Sequence, residues 1–310
     1  MDVDPVPGGD AGSSPGGSGR DAVPGVLRAA DAARMAVRCH PVVPAAILSG
    51  LAVRSIEIAA AVNRGRYGDL NRPLIRVLAD GLERDLGRAG RYAATRNLRF
   101  GSAVSHRSVS ARVLGVRVLN PVLSLACGFE AAADLAGELV EATGGILAAH
   151  LDLRLAFSRD EDLELACELA DGAGFCLRRA RVLAAELGER PAPGQVFSTG
   201  RAISRALGQA GERARTMDRV CAQGLAGRLG ITTTEGLAQA VTDGALDDFT
   251  SADLTRARLA DADLTGVRWS LTGTAWPPGT DIRALLARSQ TQPGDVLVLR
   301  HRGMMWQPSW

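Results

Sequence analysis

His106, with Arg99, Arg107 and Arg112 around it and Arg91 upstream, is the constellation in this chain best suited to holding a ligand. Guanidinium forks carry permanent charge and match phosphate or carboxylate geometry, and an imidazole beside them adds a donor that titrates near neutrality. The same residues also read as a basic loop that is solvated or paired with acids of the chain. Other arrangements fall short of catalysis. Cys39 and His40 are adjacent, so on a helix they diverge by about 100°, a poor geometry for a nucleophile and its base. Asp160 and Glu161 form a conceivable acid–base pair, yet Ser158 followed three residues later by Glu161 is a capping box at a helix start. No GxSxG or HExxH occurs, no GxGxxG opens a helix after a strand, and no P-loop is possible because all 36 basic residues are Arg. Five cysteines without a CxxC spacing predict buried thiols in a reducing cytoplasm, with no disulfide, no zinc and no cofactor.

The elements that must carry these residues are helical by composition. Among 310 residues, 46% are hydrophobic and only 4% aromatic, and Ala, Val and Leu dominate, which favours closely packed helices. The net charge of +2 hides a segregation. Residues 28–129 are rich in Arg, with no acid at all between 87 and 129, whereas residues 130–171 are strongly acidic. Mutual pairing of the two stretches is expected; the alternative is an exposed polyanion-binding face over 87–129.

Residues 1–24 are mostly Gly, Pro, Ser and Asp, and predict a disordered tail. The longest apolar window, 42–53, is too short to span a membrane. Between 26 and 94 the apolar spacing predicts three helices, broken at His40-Pro41 and over 65–73. Residues 96–110 read as a loop, and helices are expected over 111–119, 121–136 and from 139 toward 150, with Gly144-Gly145 a weak point. Leu163, Ala166, Ala170, Ala173, Leu177 and Ala180 then alternate spacings of three and four, as do Ile203, Leu207, Ala210, Ala214, Met217 and Cys221. Two such stripes joined by a short Pro-containing loop predict an antiparallel hairpin arm, paired within one chain.

Residues 225–241 superficially resemble a helix-turn-helix, but the second segment carries Glu235 and Asp243 and no Arg, which repels phosphate; an αα corner is the better reading. The most regular stretch is 247–271. Phe249, Leu254, Leu259, Leu264 and Trp269 recur at a strict spacing of five, with Ala252, Ala257, Ala262 and Val267 two residues before the later ones. A period of five fits neither a helix nor a flat strand, so these residues align only if the chain turns at every repeat. The alternation of bulky and small residues resembles the pentapeptide-repeat family. The resemblance implies about one coil of a right-handed quadrilateral β-helix, whose ends other parts of the chain must cover. An amphipathic helix over 251–267 is the competing reading. Residues 295–301 predict a strand, with 302–310 covering one end of the coil. On the coil reading Leu259, its central rung, is more sensitive to truncation than Leu207.

The fold expected is mainly α: a disordered tail (1–24), a helical domain (25–157), a hairpin and αα corner (158–246), and a small C-terminal unit (247–310). The function expected is a non-catalytic cytoplasmic interaction, regulatory or scaffold protein with a protein partner. The alternatives are a nucleic-acid or polyanion binder using residues 87–129 and an enzyme of unrecognised type acting on a phosphorylated substrate.

Overall fold

A computed structural model describes residues 31–67, 72–95, 121–149, 153, 160–188, 193–232, 237–259 and 262–300. The protein is mainly helical, with a small antiparallel three-stranded sheet near the C-terminus. The order is α1 (Asp31–Val37), α2 (Val42–Tyr67), α3 (Arg72–Thr95), α4 (Pro121–Ala149), α5 (Asp160–Gly188), α6 (Pro193–Leu229), α7 (Leu237–Thr242), β1 (Arg268–Trp269), α8 (Ile282–Ala287), β2 (Ser289–Gln292) and β3 (Val296–Leu299).

The helices form a bundle around α2, which packs against α3, α4 and α6. Apolar residues run all round α2, the composition of a helix buried on every side. It is long and apolar enough to cross a membrane, but most of that window is buried inside the bundle. The helix is longer than its apolar run suggested because its polar residues have partners within the fold. Ser55 Oγ donates to the Leu51 carbonyl, and Asn63 Nδ2 donates to Ser204 Oγ at 3.0 Å.

The two heptad stripes meet in α5 and α6, the most extensive helix–helix contact of the protein. Ala166, Ala170, Ala173, Ile203, Ala210 and Ala214 are all buried there. The hairpin is no protruding arm: one apolar core runs continuously from Val37 on the first side of residue 157 to Leu246 on the other, because α6 also packs on α2. The expected break between 136 and 139 is absent as well, and α4 runs as one helix through the weak point at Gly144-Gly145. A side chain at Gly144 would approach Ala170 Cβ to 3.2 Å, so its missing Cβ lets α4 and α5 close up. At Gly137 and Gly145 a Cβ would meet nothing within 4 Å. Gly137→Ala and Gly145→Ala are therefore expected to stabilise by up to about 1 kcal/mol each in urea unfolding, through helix propensity, and Gly144→Ala to gain less or lose.

A second apolar cluster forms the C-terminal unit from Phe249, Ala252, Leu254, Ala257, Val267 and Trp269, together with Leu285, Leu297, Leu299 and Met35 of α1. Residues 251–259 and 262–267 are not helical. The chain turns at each repeat: the amides of Ala252, Ala257, Ala262 and Val267 donate to the carbonyls of Phe249, Leu254, Leu259 and Leu264. Asp-x-Thr supplies the corners, since Asp248, Asp253 and Asp263 each accept from the backbone amide of the Thr two residues on. A parallel bridge sets Asp248 beside Arg268, twenty residues further along. Gly273 is required where it stands, because a Cβ would run into the Thr250 carbonyl. β3 pairs with both β1 and β2, and the β2–β3 turn takes positive φ at Gly294 and Asp295.

α1 and the residue after it lock the unit to the bundle. Arg34 pairs with Asp31 at 2.7 Å, lies over the Phe249 ring and donates to the Ala245 carbonyl. Asp31 in turn accepts from the Asp253 amide at 2.7 Å. Arg38, only 1% exposed, donates through Nε to Asp247 Oδ1 at 2.7 Å, and through its two terminal nitrogens to the carbonyls of Asp263 and Thr265. The cover for the unit thus includes α1, which sequence reasoning did not assign to it; residues 302–310 lie outside the described residues.

Candidate interaction surface on α4 and α5

The basic constellation is represented among the described residues by Arg91, which is exposed on α3; Arg99, His106, Arg107 and Arg112 lie outside them. Residues 96–120, most of the basic stretch, lie outside the described residues, so its expected pairing with residues 130–171 is seen only at its edges. Arg88 reaches Asp85 and Asp243 at 3.1 Å, Arg54 also pairs with Asp85, and Asp134 takes Arg181 at 2.8 Å. α3 packs on α2 and α7, and α4 packs on α2 and α5.

The repeat residues divide. Phe249, Leu254, Trp269, Ala252, Ala257 and Val267 are buried, while Leu259, Leu264 and Ala262 are only partly so. Of the would-be recognition helix, α7 is six residues long with Leu237 and Val241 buried, which suits a corner. His40 Nδ1 accepts from the Val42 amide at 3.2 Å, so the ring next to Cys39 caps α2. Cys176 is buried in the hairpin, where its sulfur accepts from Arg213 at 3.3 Å. Among the described residues no group of three or more His, Cys, Asp and Glu gathers as metal ligands would.

One polar site is built into the bundle core. Ser49 Oγ on α2 lies 2.7 Å from Asp218 Oδ1 on α6 and 3.0 Å from the Ala46 carbonyl. One hydroxyl hydrogen cannot serve both. With Asp218 protonated, its own O–H donates to Ser49 and the hydroxyl donates to Ala46, so every group is satisfied. Burial pushes the Asp218 carboxyl above its ordinary value, against the opposing pull of the Ser49 hydrogen bond and of Arg54 and Arg219. Burial likewise drives the neighbouring Cys221 thiol up to about 12, which leaves it a neutral, unreactive core residue.

A raised carboxyl favours the fold in its protonated form, so its benefit is complete below the unfolded value of 3.8 and is lost as pH rises through the folded value. Asp218→Asn keeps a partner for Ser49 without the charge. It is expected to melt higher than wild type at pH 7, with the gap closing as pH falls toward 3.8; melting curves across that range provide the check.

The surface with the least internal explanation lies on α4 and α5. A groove of about 700 Å³ runs between them, floored by Gly137, Gly144, Gly145 and Gly174 and rimmed by Asp134, Glu138, Glu141, Asp171, Arg178 and Arg181. Beside it, on the outer face of α5, Phe175 and Val182 are 60% and 59% exposed, and Phe197 at the start of α6 is 68% exposed. A helix that buries its Ala stripe on one side and presents a phenylalanine to solvent on the other carries apolar area that folding leaves unused. No family model, no curated protein and no solved structure matches the chain.

Proposed function

We propose that the protein is a non-catalytic interaction protein of regulatory or scaffold type, acting in the cytoplasm through the outer face of its hairpin. The observation that carries this reading is Phe175, exposed in mid-helix beside a glycine-floored groove. Aromatic anchors of this kind are what protein interfaces bury at their centres. A photo-cross-linking side chain placed at position 175 in living cells is expected to give a discrete protein adduct, whereas one at the exposed Arg300 gives none. Absence of any adduct at 175 would remove the reading. The polyanion alternative predicts salt-dependent retention on heparin that is lost when Arg91, Arg99 and Arg112 become Ala.

We infer also that residues 247–271 make one coil of the pentapeptide-repeat kind. Its support is the turn at every fifth residue and the parallel bridge at a spacing of twenty, four sides of five residues each. In this reading the coil is a rigid C-terminal platform whose Asp-x-Thr corners hold it in shape.

A further inference from the structure

The outer face of α5 has a charge order that capping does not explain. Glu164, Glu168 and Asp171 precede Phe175, Arg178 and Arg179 follow it, and Glu186 lies two turns beyond them, all of them exposed. At 100° per residue these side chains fall within about 60° of the Phe175 direction, so they share one stripe. The helix dipole accounts for acids in the first turn only, and Glu168 and Asp171 lie two to three turns further in.

The middle of this stripe is its own complement when turned end for end. A two-fold axis through Phe175 sets ring against ring, brings Asp171 opposite Arg179 of the second copy, and leaves Glu168 one turn away from the same guanidinium, while at the two ends Glu164 faces Glu186 and opposes the pairing. A parallel arrangement would instead set acid against acid and Arg against Arg. The geometry points to a second copy of this chain as the occupant of the α5 face, docked antiparallel about Phe175. The inference names a partner for the surface of the preceding reading and rests on it.

At 29 residues α5 is about 43 Å long, and helix against helix buries an area at the small end of specific interfaces. The dimer is accordingly expected to be weak, with Kd on the order of micromolar, and sensitive to salt because part of its attraction is between exposed charges.

The test is sedimentation equilibrium of the full chain through the micromolar range at low and high salt. One double variant, Glu168→Arg with Asp171→Arg, makes the stretch around Phe175 basic on both sides; the other, Arg178→Glu with Arg179→Glu, makes it acidic on both sides. Wild type is expected to dimerise with concentration, less so at high salt. Each variant alone is expected to bind itself at least about tenfold more weakly. An equimolar mixture of the two is expected to restore the mass of two chains, which also shows that both variants are folded. A wild type that stays monomeric, a dimer indifferent to both variants, or a mixture that fails to recover overturns the inference. A monomeric wild type that still gives an adduct at position 175 with a different protein overturns the second copy and keeps the interaction reading. A monomer with no adduct overturns both.

Discussion

Arg38→Ala is expected to destabilise the protein by about 3–5 kcal/mol, because it removes a buried guanidinium that bonds three acceptors at once. Asp247 would lose the Nε donor 2.7 Å from its carboxylate, and the carbonyls of Asp263 and Thr265 would lose theirs in a buried setting. Arg38→Lys is expected to fall between, since a single ammonium cannot reach three acceptors in the geometry of a fork. All four Trp residues stand at 269 or beyond, so tryptophan fluorescence reports the C-terminal unit and far-ultraviolet circular dichroism reports the bundle. In wild type the two urea transitions should coincide. In Arg38→Ala the fluorescence transition should come first, because the arginine is one of the buried ties between the two cores. Coincident transitions with a small shift would show that the apolar contact of α1 suffices without it.

Trp269→Ala is the second large effect expected, at about 3–5 kcal/mol. The ring is 1% exposed, meets Trp276 edge-on at 5.6 Å and donates to Ser289 Oγ at 3.0 Å, so its loss opens a cavity and removes one of the two hydrogen bonds of that hydroxyl, which keeps its bond to the Leu285 carbonyl. The smaller Leu residues rank differently from the order that periodicity suggested. Leu207 is 1% exposed in the bundle, between helices that cannot all shift toward one hole, and Leu207→Ala should cost about 2–5 kcal/mol. Leu259 is only partly buried, and Leu259→Ala should cost less than Leu207→Ala. Denaturant unfolding of the three variants decides the order.

Periodicity made the bundle legible wherever one face of a helix is buried against one neighbour. The stripes from Leu163 and Ile203 lead straight to α5 and α6, and His40-Pro41 marks the start of α2. It failed where distant contacts decide. Gly144-Gly145 looks like a break, yet the close approach to Ala170 makes Gly144 a packing device within one continuous helix. The edge strand β2, Ser289–Gln292, is polar and largely exposed, so no alternation announces it. Met35 sits in a helix whose pattern says nothing about a cluster more than two hundred residues away. The candidate surface was half legible. The acids at the start of α5 were visible as caps, but only burial of the opposite face shows that Glu168, Asp171 and Phe175 are left outside.

The bonds from α1 to the far unit join residues separated by 209, 211 and 222 positions in the chain. During synthesis α1 emerges among the first helices and its partners among the last. At roughly 5–20 residues per second it waits on the order of ten seconds or more with Arg38 and Met35 uncovered. Through that interval the bundle can assemble around α2 with Val37 of its first helix in the core, but Met35, Arg34 and Arg38 still lack their partners in the C-terminal unit. The closing of α1 onto Asp247 and Phe249 is therefore a late event, a clasp that fastens only after the chain has nearly been made. Ribosome-bound chains stalled before residue 247 should leave the 31–38 segment open to protease, whereas chains that extend past residue 300 should protect it.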